Sequence, residues 1–544
     1  MAIDNSSDLF RRLERLNAIG AALSKERDIN RLLESILIAA KTITHADGGT
    51  LYRMTDDGRA LRFEILRTDS LHIAMGGTTG NAINFPNLPL TNDKGKSNDS
   101  MVAAYAAIHD KTVNIADAYT EAGFDFSGTR GFDQRTGYRS QSFLTVPMKN
   151  HEGEIIGVLQ LINAQDPHTR QVTPFSSADQ SLAESLASQA AIALTNRLLI
   201  TQLEELFEAF INLINLAIDE KSPYTGGHCQ RVPALTMMLA EATDAAQEGP
   251  LASFHMDERD RYELKIAGLL HDCGKVTTPV HVVDKATKLQ TLYDRIHLID
   301  TRFEVLKRDA EISALRRQLA LRVSVDAAAE AQIREDCQKE ICRLDEDREF
   351  LRKSNVGGEK MKDEDLERVR DIGNGRKWRN VDAVETEFLS ADEAENLTIR
   401  AGTLTMKERD VINHHIVATI KMLEQLPWPR HLTKVPEYAG GHHERMDGKG
   451  YPKGLTREQM SWQARMMGIA DIFEALTARD RPYKPGMKLS QAMGIMVNFK
   501  KNGHIDPDLF DVFVKEKVYL KYAQQFLDPQ QIDEVGELVE SGKT

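Results

Sequence analysis

Cysteine is scarce in this chain: four in 544 residues, at Cys229, Cys273, Cys337 and Cys342, with no C-x-x-C spacing. That argues against a thiolate zinc site and against a disulfide framework, and reduced thiols are the default reading for a cytosolic protein. Long apolar runs are missing too. No stretch approaches the roughly 18 residues a membrane-spanning helix requires, and the opening MAIDNSSDLFRRLERL has no apolar signal core. A cytoplasmic protein is the simplest expectation. Positive charge is also in deficit, with 69 Lys and Arg against 82 Asp and Glu and a formal net charge of -13. A DNA partner wants a basic face, so broad nucleic-acid binding is not expected. An anionic ligand would need a local pocket of metal, Arg and Lys.

What is present is ordinary globular composition, 41% hydrophobic and 28% charged, in a chain long enough for about two to four domains. Leu9, Leu13, Leu16, Ile19, Leu23, Leu32, Leu33 and Ile36 recur at helical spacing and predict helix over 1–45. Two β-rich runs then flank Asp56-Asp57-Gly58, a hairpin signal. Further strands are expected at 142–149 and 155–163, joined by His151-Glu152-Gly153-Glu154. A helix starts near Ser176, with Ser177 and Asp179 as candidate caps. This is an α+β sensor layout over residues 1–180.

From 181 to 219 neither Pro nor Gly interrupts the chain, and Leu199, Leu203, Leu206, Phe210, Leu213 and Ala217 alternate by four and three as a heptad seam. Such a rod of about 60 Å is buried against a domain or paired with a second copy. A parallel homodimeric coiled coil is the expectation, and it would pass a shift in the sensor to the next domain. Residues 220–544 read as helical. Within them 290–400 is dense in charge and helix formers, departs from compactness, and reads as an inserted helical hairpin with solvated faces.

The chemistry-bearing residues lie in this last part. His442 and His443 precede Glu444-Arg445-Met446-Asp447-Gly448-Lys449-Gly450-Tyr451-Pro452. Adjacent side chains on a helix point about 100° apart, so the two histidines are expected to serve two metals, or a metal and a substrate oxygen. His271-Asp272 follows an apolar run, which places a nitrogen and an oxygen donor in a dry setting, and Lys275 shares a face with His271 if the helix continues. His228 follows Gly226-Gly227. His414 and His415 stand on an amphipathic helix, and Asp471 stands alone in an apolar helical segment, costly unless paired or metal-bound. Collected, His228, His271, Asp272, His415 (or His414), His442, His443 and Asp471 suffice for two ions. Mixed imidazole and carboxylate donors suit Fe, Mn, Ni or Zn. Asp272 is the natural bridge, since one carboxylate has two oxygens. Two ions sharing a water and clamping a phosphoryl group point to phosphoester hydrolysis, with Lys275 neutralising the phosphate.

Two resemblances sharpen this. FDQRTGYRSQSFLTVPMKNHEGEIIGVLQLINA, residues 132–164, resembles the second half of a GAF domain, in particular the cyclic-nucleotide-binding GAF domains. Of that group's supporting signature Asn163, Phe175 and Asp179 match, while Ala164 and Gln180 replace Lys and Glu. The resemblance implies a small-molecule effector such as cAMP or cGMP, with Thr136, Tyr138, Arg139 and Ser140 as candidate wall residues. The alternative is an empty GAF domain acting as a dimer scaffold.

HDCGK, HHERMDGKGYP and ADIFEALTARDRPYK are similar to the HD-GYP branch of the HD phosphohydrolases, over about 205–285 and 400–515. That resemblance implies an all-α domain hydrolysing cyclic di-GMP to linear pGpG or on to GMP, with His228, His271, Asp272, His415, His442, His443 and Asp471 as metal ligands. It favours His415 over His414. It also implies Asp272 and Lys275 as catalytic residues, Lys275 on the phosphate, and Gly450, Tyr451 and Pro452 as the loop near substrate. Arg481 and Lys484 fall where the family binds guanine or phosphate. Members with three metals carry a Glu four residues before the first ligand His; here Tyr224 stands there, so a two-metal site ending at pGpG is expected. Another cyclic dinucleotide such as cyclic GMP-AMP, or a weakly catalytic receptor acting through a partner, are the competing readings.

Overall fold

The computed structural model describes residues 2–92, 95–222, 227–321, 327–358, 360–479 and 486–536. The chain divides into two compact units, residues 1–207 and 208–544. In the first, the predicted N-terminal helix is two, Ala2–Leu23 and Ile29–Thr44. The break falls at Asp28, whose side chain caps the second by accepting from the Arg31 N–H.

Eight strands follow: β1 Ala46–Met54, β2 Ala60–Thr68, β3 Ile73–Gly76, β4 Leu88–Pro89, β5 Val113–Ile115, β6 Phe143–Lys149, β7 Ile155–Gln165 and β8 Val172–Thr173. They form one antiparallel sheet in the order β3-β2-β1-β7-β6-β5, with β4 on β2 and β8 on β7. The β1–β2 hairpin turns where Asp56-Asp57-Gly58 predicts it. One sheet face sends Leu51, Leu144, Val146, Leu159 and Leu161 against the Ile29–Thr44 helix and against Leu182, Leu186, Ala190 and Leu194 of the helix Ser177–Lys221. Each such side chain removed from water contributes about 1.5–3 kcal/mol. The other face packs on Ala103, Ala106 and Ala107 of the helix Val102–His109.

Ser176, rather than Ser177, caps the long helix: its Oγ accepts from the Asp179 N–H while the Asp179 carboxylate accepts back from Ser176. Further along, Leu199, Leu203, Leu206, Phe210 and Leu213 are all exposed in a single chain.

The second unit is helical around its functional residues. Residues 290–400, read from the sequence as an inserted hairpin, are more compact than their charge density predicts. Helices Ile296–Leu321 and Ala327–Asn355 pack Ile299, Phe303, Leu344 and Leu351 with Val369, Phe388 and Leu397 into a core of their own. The segment also holds a two-stranded antiparallel ribbon, Lys377–Arg379 with Glu385–Glu387. Among the described residues no helix is long and apolar enough to cross a membrane, and all four cysteines are free thiols.

Candidate metal centre

Five separate segments deliver the donors. His228 is the first residue of helix His228–Asp244, entered through Gly227 at φ 81°. The helix Glu258–Leu270, started by an Asp257–Asp260 capping box, ends immediately before His271. The helix does not continue: a tight turn, Cys273–Thr277, takes over, so Lys275 reaches the site from that turn instead of from a shared helical face. Gly274 is obligatory there. A Cβ on it would lie 2.0 Å from the His415 carbonyl oxygen and 2.5 Å from the Thr419 nitrogen, so only glycine lets the turn press on helix Met406–Glu424. That helix carries His415, buried, and His414, exposed. His442 and His443 lie just past helix Val435–Gly440, and Asp471 lies on helix Trp462–Thr477.

The donors form two triads, His228–His271–Asp272 and His415–His442–His443, each with ligand atoms within 4.8 Å of one another. His442 and His443 thus share one group instead of dividing between two, because they sit in a turn where the 100° helical offset does not apply. Asp272 stands between the triads. Its Oδ2 lies 3.0 Å from His228 Nε2 and 3.2 Å from His271 Nε2 and bonds Lys275; its Oδ1 lies 3.3 Å from His415 Nε2. Asp471 is 3.4 Å from His228 Nε2 and 4.0 Å from His443 Nδ1.

The hydrogen bonds around the rings fix which nitrogen is bare. A carbonyl can only accept, so His271 donates from Nδ1 to Gly268 (2.7 Å) and His442 from Nδ1 to Ala439 (2.6 Å). His415 does the same to Ile412. With Nδ1 as the donor, each of these rings presents Nε2 inward. His271 and His228 Nε2 are 3.3 Å apart, and His443 and His415 Nε2 are 3.2 Å apart, so the ring nitrogens converge in pairs. Two buried atoms, Asp272 Oδ1 and His442 Nε2, have no hydrogen-bond partner. Orphaned donors of this kind, on a carboxylate flanked by imidazoles, fit divalent ions.

Electrostatics agree. Burial holds His443 down to about 4 and His442 well below the ordinary imidazole value, so both are neutral at pH 7. Asp272 and Asp471 are pressed upward by burial but held well below the carboxylate range, Asp272 chiefly by Lys275 and Asp471 chiefly by His228. His228 is the exception. Burial lowers it, but Glu474 overcomes this and lifts it to about 9. Glu474 is a residue that sequence reasoning missed. It is 1% exposed, with Oε2 2.6 Å from His228 Nδ1 and Oε1 bonded to Arg231 at 2.7 and 2.8 Å. The signal was available, since Glu474 is a second acid three residues after Asp471 in the same apolar segment.

The loop after the histidines is pinned from below. Buried Glu444 accepts from the Lys453 and Leu455 amides at 2.7 and 2.9 Å. Gly450 lies so close beneath that a Cβ would meet the Arg445 nitrogen and Glu444 Cα at 2.4 Å. Tyr451 stacks on His443 with centroids 4.8 Å apart, next to a cis Tyr451–Pro452 peptide. Tyr224, Arg481 and Lys484 lie outside the described residues.

In the first unit the four candidate wall residues are occupied internally. Ser140 is buried and bonds Asp133 through its amide and hydroxyl, each at 2.8 Å, and Tyr138 donates to Asp47 at 2.6 Å. Arg139 lies over the Tyr119 ring, and Thr136 donates to Phe132 O. Asn163 props their loop, donating to Arg139 O and accepting from the Gln141 and Ser142 amides.

Comparison with known proteins places these units. The GAF domain family matches residues 28–194, and HD domain families match 225–346 and 391–509, so the chain carries a GAF domain followed by HD-domain sequence. A cyclic di-GMP phosphodiesterase of Pseudomonas aeruginosa is 40% identical over 116 residues, 21% of this chain and 27% of that protein. A 3'3'-cGAMP-specific phosphodiesterase of Vibrio cholerae is 46% identical over 81 residues, 15% and 19%. A probable cyclic di-GMP phosphodiesterase of Vibrio cholerae is 32% identical over 142 residues, 25% and 32%. The chain thus spans less than a third of the length of each of these relatives.

Proposed function

We propose that this chain, a GAF domain followed by an HD domain, is a metal-dependent phosphodiesterase of cyclic dinucleotides, with cyclic di-GMP as substrate and linear pGpG as product. The observation that carries it is Asp272, a buried carboxylate with His228 and His271 on one oxygen and His415 3.3 Å from the other, which has no hydrogen-bond partner. His228, His271 and Asp272 would hold one divalent ion and His415, His442 and His443 a second, with Asp272 between them and Asp471 within reach of both sets. Fe or Mn suits these donors best, with Ni or Zn the alternatives. Bound there, two such ions supply an acidified water and a clamp for the phosphoryl oxygens.

The chain's own residues do the rest. Lys275, its ammonium against Asp272, presents positive charge to a phosphate. Burial pulls that ammonium down, but Asp272 raises it above the ordinary lysine value, so it is charged at working pH. Tyr451, held on His443, offers an aromatic face at the mouth of the site. The Gly450-Tyr451-Pro452 loop, with Arg481 and Lys484, would orient the dinucleotide.

The GAF domain would regulate this activity through a small effector, cAMP or cGMP, held near Thr136, Tyr138, Arg139 and Ser140. A parallel homodimer is supported by the exposed apolar seam from Leu199 to Leu213. A cytoplasmic location accords with the absence of a membrane-spanning helix among the described residues.

The test is to purify the protein with native metal, count ions per chain, and follow cyclic di-GMP by chromatography with and without cAMP or cGMP. Near two ions per chain and early accumulation of pGpG are expected; three ions, or GMP as the main early product, would count against the two-metal reading. A second substrate, 3'3'-cGAMP, is favoured by the Vibrio cholerae relative that carries that name. Parallel assays of both dinucleotides decide between them.

A further inference from the structure

The last turn of helix Ser177–Lys221 belongs to the unit formed by residues 208–544. Half-buried Lys221 donates from Nζ to the carbonyl oxygen of Lys275 at 3.4 Å and, closer still, to that of Val276. One residue on, Ser222 donates from Oγ to Asp284 Oδ1. Both grips fall on the stretch that directly follows Asp272: the turn Cys273–Thr277 and the end of the short helix Val280–Val283. Ile218, one helical turn back and 2% exposed, lines a small cavity with Lys221, Lys275, Val280 and Val283.

The turn is held from two sides. Its backbone bonds include Lys275 N–H to Asp272 O at 2.9 Å and Thr278 N–H to Lys275 O at 3.1 Å. Its inner side is fixed, because the Gly274 amide donates to Thr419 Oγ1 at 2.9 Å and a Cβ on Gly274 has no room. Its outer side presents the Lys275 and Val276 carbonyls, which lie at the end of the short helical turn and carry partial negative charge. A lysine ammonium is the strong donor for such oxygens. The cation that fills this role stands on a different element, at the terminus of a helix whose first residues pack in the core of residues 1–207.

We infer that Lys221 is a positioning residue: by holding the Lys275 and Val276 carbonyls it fixes the turn from which Lys275 reaches Asp272. The placement of the Ser177–Lys221 helix thereby sets the reach of Lys275. The inference rests on the proposed phosphodiesterase reading only for the activity it modulates.

The experiment uses full-length protein with native metal and the variants Lys221→Met, Lys221→Arg and Lys265→Met. The last removes another tie of the same helix, Lys265 Nζ to Glu208 Oε2 at 2.9 Å, without touching the turn. Four readouts are taken: kcat and KM on cyclic di-GMP, metal per chain, and amide exchange over residues 273–278. Lys221→Met is expected to lower kcat about ten- to hundredfold with KM within about twofold, the scale set by small misplacements of a reacting group. Its metal content stays at the wild-type level while exchange over 273–278 accelerates. Lys221→Arg restores most of kcat, and Lys265→Met leaves every readout unchanged. Unaltered kcat and exchange in Lys221→Met, an equal kcat loss in Lys265→Met, or loss of metal in Lys221→Met each overturn the inference. A metal-loaded wild type without turnover defeats the phosphodiesterase reading instead. Exchange over 273–278 then decides Lys221 alone, and no acceleration overturns it.

Discussion

Replacing Glu474 by glutamine separates two effects that cancel at neutral pH. Burial alone drives His228 toward its neutral form, but the Glu474 carboxylate at 2.6 Å, helped by Asp272 at 3.0 Å, lifts it to about 9. At pH 7 the proton is then favoured by about two pKa units, roughly 100-fold or about 2.7 kcal/mol. An ion that binds through His228 Nε2 must displace that proton. Affinity at this position is therefore expected to rise about tenfold per pH unit from 7 to 9 and level off above. The Glu474→Gln side chain still offers an amide oxygen to His228 Nδ1 but no charge, so His228 returns to, or below, its ordinary value of about 6.5. The slope above pH 7 should vanish. Affinity at pH 9 should fall about ten- to hundredfold, the usual cost of losing a carboxylate behind a ligating histidine. Near pH 7 the two changes offset, and a measurement at that pH alone would report no effect. Competition of the apo protein with a chromogenic chelator for Mn²⁺, from pH 6.5 to 9.5, reads both quantities. Identical slopes in wild type and Glu474→Gln, or a flat wild-type profile, would refute the reasoning.

Three further outcomes are expected. Asp506 is buried and accepts from Arg465 at 2.7 Å and Arg457 at 2.8 Å, so Asp506→Asn should cost about 3 kcal/mol in urea denaturation, chiefly by stranding the buried Arg465 guanidinium, since Arg457 keeps Asp508. Burial presses the Asp506 carboxyl up but Arg457 and Arg465 hold it below its ordinary value. Its contribution is therefore full at neutral pH and fades as pH falls below about 3.9, and a variant equally acid-sensitive would contradict this. Lys288 is 2% exposed, bonds the Leu397 carbonyl at 3.1 Å, and is lowered by burial to about 8. Between pH 8 and about 10.4 the unfolded chain holds a proton the native state has released, so stability should rise with pH. Lys288→Met should flatten that rise in thermal melts, and an undiminished rise would exclude Lys288 as its source. His414→Ala should keep full metal content and His415→Ala should lose metal, read by elemental analysis; the reverse would move the ligand one position.

Much of the fold was legible along the chain. The hairpin at Asp56-Asp57-Gly58, the strands ending in Asn163 and the uninterrupted helix through Leu213 depend on neighbours two to four residues apart, which is where sequence patterns carry information. Residues 290–400 misled because charge density was read as exposure, whereas Phe303, Leu344 and Phe388 find one another from distant positions.

The site divides the same way. The sequence by itself pointed to the residue types proposed to carry the chemistry: an acid in an apolar segment is costly to bury unless paired or metal-bound, wherever it folds. Only the tertiary structure decided how they are shared. It ended the helix before His271, placed His442 and His443 in one group, turned Asp272 between two sets, and set Glu474 behind His228 and Lys221 behind Lys275. Those arrangements depend on where a helix stops and on contacts between residues as far apart as His228 and Glu474. Distances across such separations follow from packing, and no local pattern contains them.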